Sequence, residues 1–115
     1  MTGFATSVDR LINRIGHWEQ SRWWSRVGPV PGSAPSAAGG SAAPTRADLV
    51  YALVQRLADH GADAERRPRR PVPRPSDLVL PDQIRVMADD LVAADPGDDV
   101  LKIAADDVEA VRHAL

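Results

Sequence analysis

Hydrophobic residues recur at helical spacing over the first quarter of the chain. Between residues 4 and 26 the apolar positions fall three or four residues apart, with polar side chains on the opposite face; these positions are Phe4, Val8, Leu11, Ile12, Ile15 and Trp18. The spacing predicts an amphipathic helix. The stripe is lost after Trp18, because Glu19 and Arg22 rotate onto it. We therefore expect Trp23 and Trp24 to lie on a less regular segment and to stay partly exposed.

Three further helices are predicted in residues 45–115. Thr45 and Asp48 form a helix start, and Gly61 is expected to end that helix. The next helix has Pro81 in its first turn, and the last begins after Gly97. The centres of the apolar stripes predict the core, which comprises Leu53, Leu57, Ile84, Leu91, Leu101, Val108 and Val111. No run alternates with the period of two that a strand requires.

Two proline-rich segments divide the chain. Residues 28–44 have no charge and no large side chain beyond Val30, so they predict a flexible linker without regular structure. Residues 65–75 contain four prolines among their last eight positions, which predicts polyproline II rather than helix. The predicted fold is all-α. A three-helix bundle spans 45–115, interrupted at 65–75, and the helix of 1–27 is either docked on it or mobile.

Composition narrows the class of protein. A chain of 115 residues supports one small domain, and the absence of cysteine excludes disulfides and thiolate metal sites. No signal peptide and no membrane span is visible, so we expect a cytoplasmic protein. Thirteen of the fourteen basic residues are arginine, which fits a GC-rich bacterial source. The three histidines are scattered and no catalytic motif occurs, so we predict no enzyme, no cofactor and no metal.

Charge is sorted along the chain. Residues 76–115 carry a net charge of −7 and residues 65–75 a net charge of +4. The arginines of the second segment are candidates for contacts with nucleic-acid phosphates; they are Arg66, Arg67, Arg69, Arg70 and Arg74. The alternative that we favour is a solvated spacer, whose charges pair loosely with the acidic helices that follow.

The first helix carries the functional hypothesis. Its apolar face and its tryptophans could pack within the chain, dock on a partner protein or lie on a membrane surface. We expect a non-catalytic interaction module, an adaptor or accessory subunit, whose partner is another protein or a second copy of the chain. The residues predicted to bind that partner are Leu11, Ile15, Trp18, Trp23 and Trp24. Nucleic-acid binding through the arginine segment and peripheral membrane binding are the alternatives.

Overall fold

Five α-helices form the fold in the computed structural model, which describes residues 3–27, 44–74 and 76–115. They are α1 (Phe4–Ile15), α2 (Gln20–Trp24), α3 (Arg46–Ala64), α4 (Leu80–Ala93) and α5 (Asp98–Ala114). A short 3₁₀ turn, Asp77–Val79, precedes α4. These ranges contain no β-strand beyond a single bridge between Arg26 and Thr45, so the all-α prediction is confirmed. The predicted linker lies outside the described residues except for Pro44.

The start of α3 follows the sequence prediction. The Thr45 hydroxyl accepts a hydrogen bond from the Asp48 backbone N–H, and the Asp48 carboxylate accepts one from the Thr45 N–H, each 3.0 Å long. This capping box satisfies two N–H groups that the helix itself leaves open. The bond from Thr45 lowers the pKa of Asp48, and Arg74 lowers it further. The carboxylate therefore stays ionised at the positive end of the helix dipole.

The end of α3 differs from the prediction. Gly61 was expected to stop the helix, but the helix continues through it to Ala64. Its last turn closes where Arg66 adopts a left-handed conformation (φ 56°), with the Arg67 N–H bonded to the Ala62 carbonyl at 2.8 Å. That pattern is a Schellman cap. The prediction was wrong because an interior glycine costs a helix only about 1 kcal/mol, which tertiary packing readily offsets.

Replacing two glycines with alanine should have opposite effects on stability. A Cβ built on Gly61 meets no atom within 4 Å, so Gly61→Ala should raise the free energy of unfolding by about 0.5–1 kcal/mol. Gly97 has φ +95°, which L-residues rarely adopt, so Gly97→Ala should lower it by about 1–3 kcal/mol. Urea denaturation of both variants measures the difference. A loss of stability in Gly61→Ala would contradict the open space described here.

The four long helices enclose one core. α3 packs on α4, α4 on α1, α1 on α5, and α5 on α3, which closes a ring. The helix α1 is therefore docked on the other long helices, which is one of the two arrangements predicted from the sequence, and it completes a four-helix arrangement with them. Of the predicted core, six side chains are buried and Leu101, in the first turn of α5, packs only partly against the core.

Residues 66–74, here called the strap, determine the direction of α4. The strap leaves the C-terminal end of α3 and returns to its start, where an Arg74 amino group lies 3.0 Å from Asp48 Oδ1. Its contacts run from Asp63 near the end of α3, through Gln55, to Asp48 in the first turn, so the strap runs antiparallel to α3. The extended strap thus reverses the chain once, and α4 runs parallel to α3.

The two sides of the predicted linker are held together. The Val27 N–H donates to the Pro44 carbonyl at 3.0 Å, and the Arg46 N–H donates to the Ser25 carbonyl at 2.9 Å. These bonds fix the end of α2 against the start of α3.

Candidate protein-interaction surface

The backbone of the strap is held by hydrogen bonds from side chains of α3 and α4. Gln55 uses both ends of its amide: Oε1 accepts from the Val72 N–H at 2.8 Å, and Nε2 donates to the Arg70 carbonyl at 2.9 Å. The Tyr51 hydroxyl donates to the Val72 carbonyl, and Gln83 donates to the Pro73 carbonyl at 2.8 Å. The Val72 side chain enters the core and is only 6% exposed. The strap is exposed as predicted, apart from Val72, but it is not a loose spacer, because its backbone has specific partners.

The strap arginines pair mainly with α3. Arg69 makes a bidentate contact with Asp63, at 3.0 and 2.6 Å, and this contact lowers the pKa of Asp63. Arg67 lies 2.9 Å from Glu65.

Arg74 lies between two carboxylates, those of Asp48 and Asp77, and over the Tyr51 ring. Among the described residues, Arg66 and Arg70 have no carboxylate partner. Three of the five arginines predicted to contact nucleic acid are thus already ion-paired. Their partners are on α3, in its cap or in the 3₁₀ turn, whereas the sequence suggested the acidic helices α4 and α5.

The tryptophan segment folds into the core in part. After Ile15 the chain leaves the helix for four residues, so α2 begins in a new rotational register and Trp23 points inward. Its side chain is 1% exposed and meets the Trp18 ring edge-on, with centroids 5.0 Å apart. The expectation of a partly exposed Trp23 is wrong. Leu11 and Ile15 are also fully buried, so these three side chains cannot reach a partner in this fold.

Trp24 remains at the surface, as expected. Its side chain is 58% exposed, and its indole N–H donates to Asp77 Oδ2 at 3.2 Å. Leu78, next to Asp77, is 53% exposed. The 3₁₀ turn lies against α2. We call Trp24, Asp77 and Leu78 the Trp24 edge.

Two members of this edge could not be identified from the sequence. Leu78 lies outside the apolar stripe of α4, and Asp77 resembles any other helix-start carboxylate. Within the part of the chain that the structure describes, the other large apolar side chains more than half exposed are Val86, Val92 and Ile103, none of which is aromatic.

The described ionisable side chains form groups of two or three, such as Arg56 and His60 around Asp107. His60 Nε2 lies 3.4 Å from Asp107 Oδ2, and His113 Nε2 lies 3.5 Å from Glu109 Oε2. Within residues 3–27, 44–74 and 76–115, no three histidine or acidic side chains are placed to hold a metal ion. None of the described helices combines the length and hydropathy needed to cross a membrane.

No protein-family model, curated protein or solved structure significantly matches this chain. The described side chains are therefore the basis for a functional proposal.

Proposed function

We propose that this protein is a non-catalytic protein-interaction module, an adaptor or accessory subunit, that docks through the Trp24 edge. One observation carries the proposal. The Trp24 indole is 58% exposed, whereas most of the other large apolar side chains that the structure describes are buried. Tryptophan is enriched among the residues that dominate interface energetics. A cytoplasmic, bacterial setting fits the cysteine-free, arginine-rich composition.

The edge is prepared for binding. The bond from the Trp24 indole to Asp77 fixes the orientation of the ring, and Asp77 is itself held by Arg74. A side chain already ordered loses less conformational entropy when a partner covers it. Leu78 extends the apolar area beside a polar rim, an arrangement typical of the centre of an interface. The partner should therefore offer an apolar pocket for one indole.

The earlier alternatives have less support. The apolar face of α1 is buried against α4 and α5 and is not accessible to a membrane surface in the folded chain. The arginines of the strap are largely matched by carboxylates, which reduces the positive potential that nucleic-acid binding depends on.

Trp24→Ala should strongly weaken partner binding without unfolding the protein. The full chain is used to capture and crosslink partners from cells of its source, and affinity is then measured by calorimetry with the purified partner. Losing a central tryptophan should weaken binding by about 2 kcal/mol or more, roughly thirtyfold. Val86→Ala is the matched control, because Val86 is 52% exposed on α4. Equal affinity of the two variants for the captured partner would refute docking at this edge.

A further inference from the structure

A second surface feature is an open cleft of about 670 Å³ beside α2 and the start of α3. Trp18 forms part of its wall, and its polar lining includes His17, Glu19, Ser21, Arg22 and Arg46. The cleft does not include Trp24. Its size falls within the range of about 300–1,000 Å³ that is usual for small-molecule sites.

Arg46 is held in place by acceptors that include no acidic side chain. One terminal nitrogen, Nη1, donates to the Ser25 hydroxyl at 2.7 Å and to the Arg26 carbonyl at 3.0 Å, and Nε donates to an oxygen of Leu115, the last residue, at 3.4 Å. Among the described residues, Nη2 has no acceptor and the guanidinium has no Asp or Glu partner. Its position is fixed, and its charge is not matched by an acidic side chain.

Arg22 is the second such cation. Its guanidinium lies over the Trp18 ring, 5.3 Å from the centroid, and forms no ion pair with a described residue. Basic side chains elsewhere are often ion-paired, as Arg69, Arg85 and Arg112 are. Glu19 is the one carboxylate in the lining of the cleft, so two guanidinium groups outnumber it.

We propose that this cleft binds a phosphate group, either inorganic phosphate or a phosphate monoester. Arginine donors suit phosphate because they carry charge and offer several N–H groups in one plane. Arg22 and Nη2 of Arg46 are the charged donors, and the Ser21 hydroxyl and the His17 ring can add further hydrogen bonds. Glu19 opposes the anion. This site is separate from the Trp24 edge and does not depend on the proposed partner binding.

The test is a titration of the chain with inorganic phosphate, in which NMR monitors the chemical shift of the Trp18 indole N–H. A control titration uses sodium chloride at the same ionic strength. Saturable shifts specific to phosphate are expected. Arg22→Gln should weaken binding about tenfold or more, since it removes a charged hydrogen-bond donor. Glu19→Gln should tighten binding, because it removes the opposing charge.

Arg70→Gln is the control, because Arg70 is exposed, lies on the strap and also has no described carboxylate partner. It makes the same charge change and should alter the affinity by less than about twofold, since long-range effects of exposed charges are screened. Phosphate shifts that match those of chloride would overturn the proposal, as would equal weakening by Arg22→Gln and Arg70→Gln. A parallel titration with phenyl phosphate distinguishes a phosphate monoester from inorganic phosphate as the ligand. Tighter binding of phenyl phosphate indicates a monoester, and weaker binding indicates the free ion.

Discussion

Replacing Trp23 with alanine should lower the free energy of unfolding by about 3–5 kcal/mol, the range for a buried aromatic residue. The side chain is 1% exposed and closes one end of the core against Trp18. Its removal exposes apolar surface and leaves a cavity that the short helix α2 cannot fill. Because small domains are stable by only about 5–15 kcal/mol, a large fraction of the variant should unfold on mild heating. Urea denaturation followed by circular dichroism measures this change.

Trp24→Ala is the neighbouring control. Trp24 is largely exposed and contributes one exposed hydrogen bond, to Asp77, so its loss should cost no more than about 1 kcal/mol. The two variants, Trp23→Ala and Trp24→Ala, should therefore have clearly different unfolding midpoints. If both variants lost the same stability, the inward orientation of Trp23 described here would be incorrect.

Gln55→Ala should cost about 2–3 kcal/mol, a large effect for a polar side chain. The substitution removes both strap bonds made by Gln55 and leaves the buried Val72 N–H without its acceptor. An unsatisfied buried donor costs about 1–3 kcal/mol, and each lost hydrogen bond adds roughly 0.5–1.5 kcal/mol. The strap should also open locally, so trypsin should cut at its arginines faster than in the wild type.

Gln83→Ala serves as the comparison for Gln55. It removes a single, exposed bond to the Pro73 carbonyl and should cost less than about 1 kcal/mol. Limited proteolysis and urea denaturation of both variants are measured side by side. Unchanged cleavage in Gln55→Ala would mean that core packing of Val72, not the amide of Gln55, holds the strap.

The parts of the fold that depend on local pattern were predictable. The stripes of α1, α3, α4 and α5, the cap at Thr45 and the place of Pro81 follow from spacing and backbone chemistry. The direction in which Trp23 points could not be predicted from the apolar stripe of α1. Four non-helical residues after Ile15 separate α2 from α1, so α2 does not continue the helical spacing of α1. The docking of the strap was equally hidden, since it depends on Gln55, a polar residue 17 positions from Val72 with no periodic signal.

The candidate surface could be predicted only in part. Trp24 stands out by residue type, yet the sequence treats it and Trp23 alike, and only tertiary packing separates the exposed ring from the buried one. Leu78 joins Trp24 because the strap brings the start of α4 to α2. The cleft proposed to bind phosphate likewise depends on Arg46 and Arg22, which are 24 positions apart in the chain.

The clamp between Ser25–Val27 and Pro44–Arg46 has a consequence for evolution and engineering. Because these backbone bonds hold the two segments together, adding flexible residues between them should cost little, about 0.6 kcal/mol of free energy for each doubling of length. Longer chains at this point should therefore keep the same bundle. The same property makes it the natural place to insert a reporter domain, or to cut the chain for circular permutation, without disturbing the Trp24 edge.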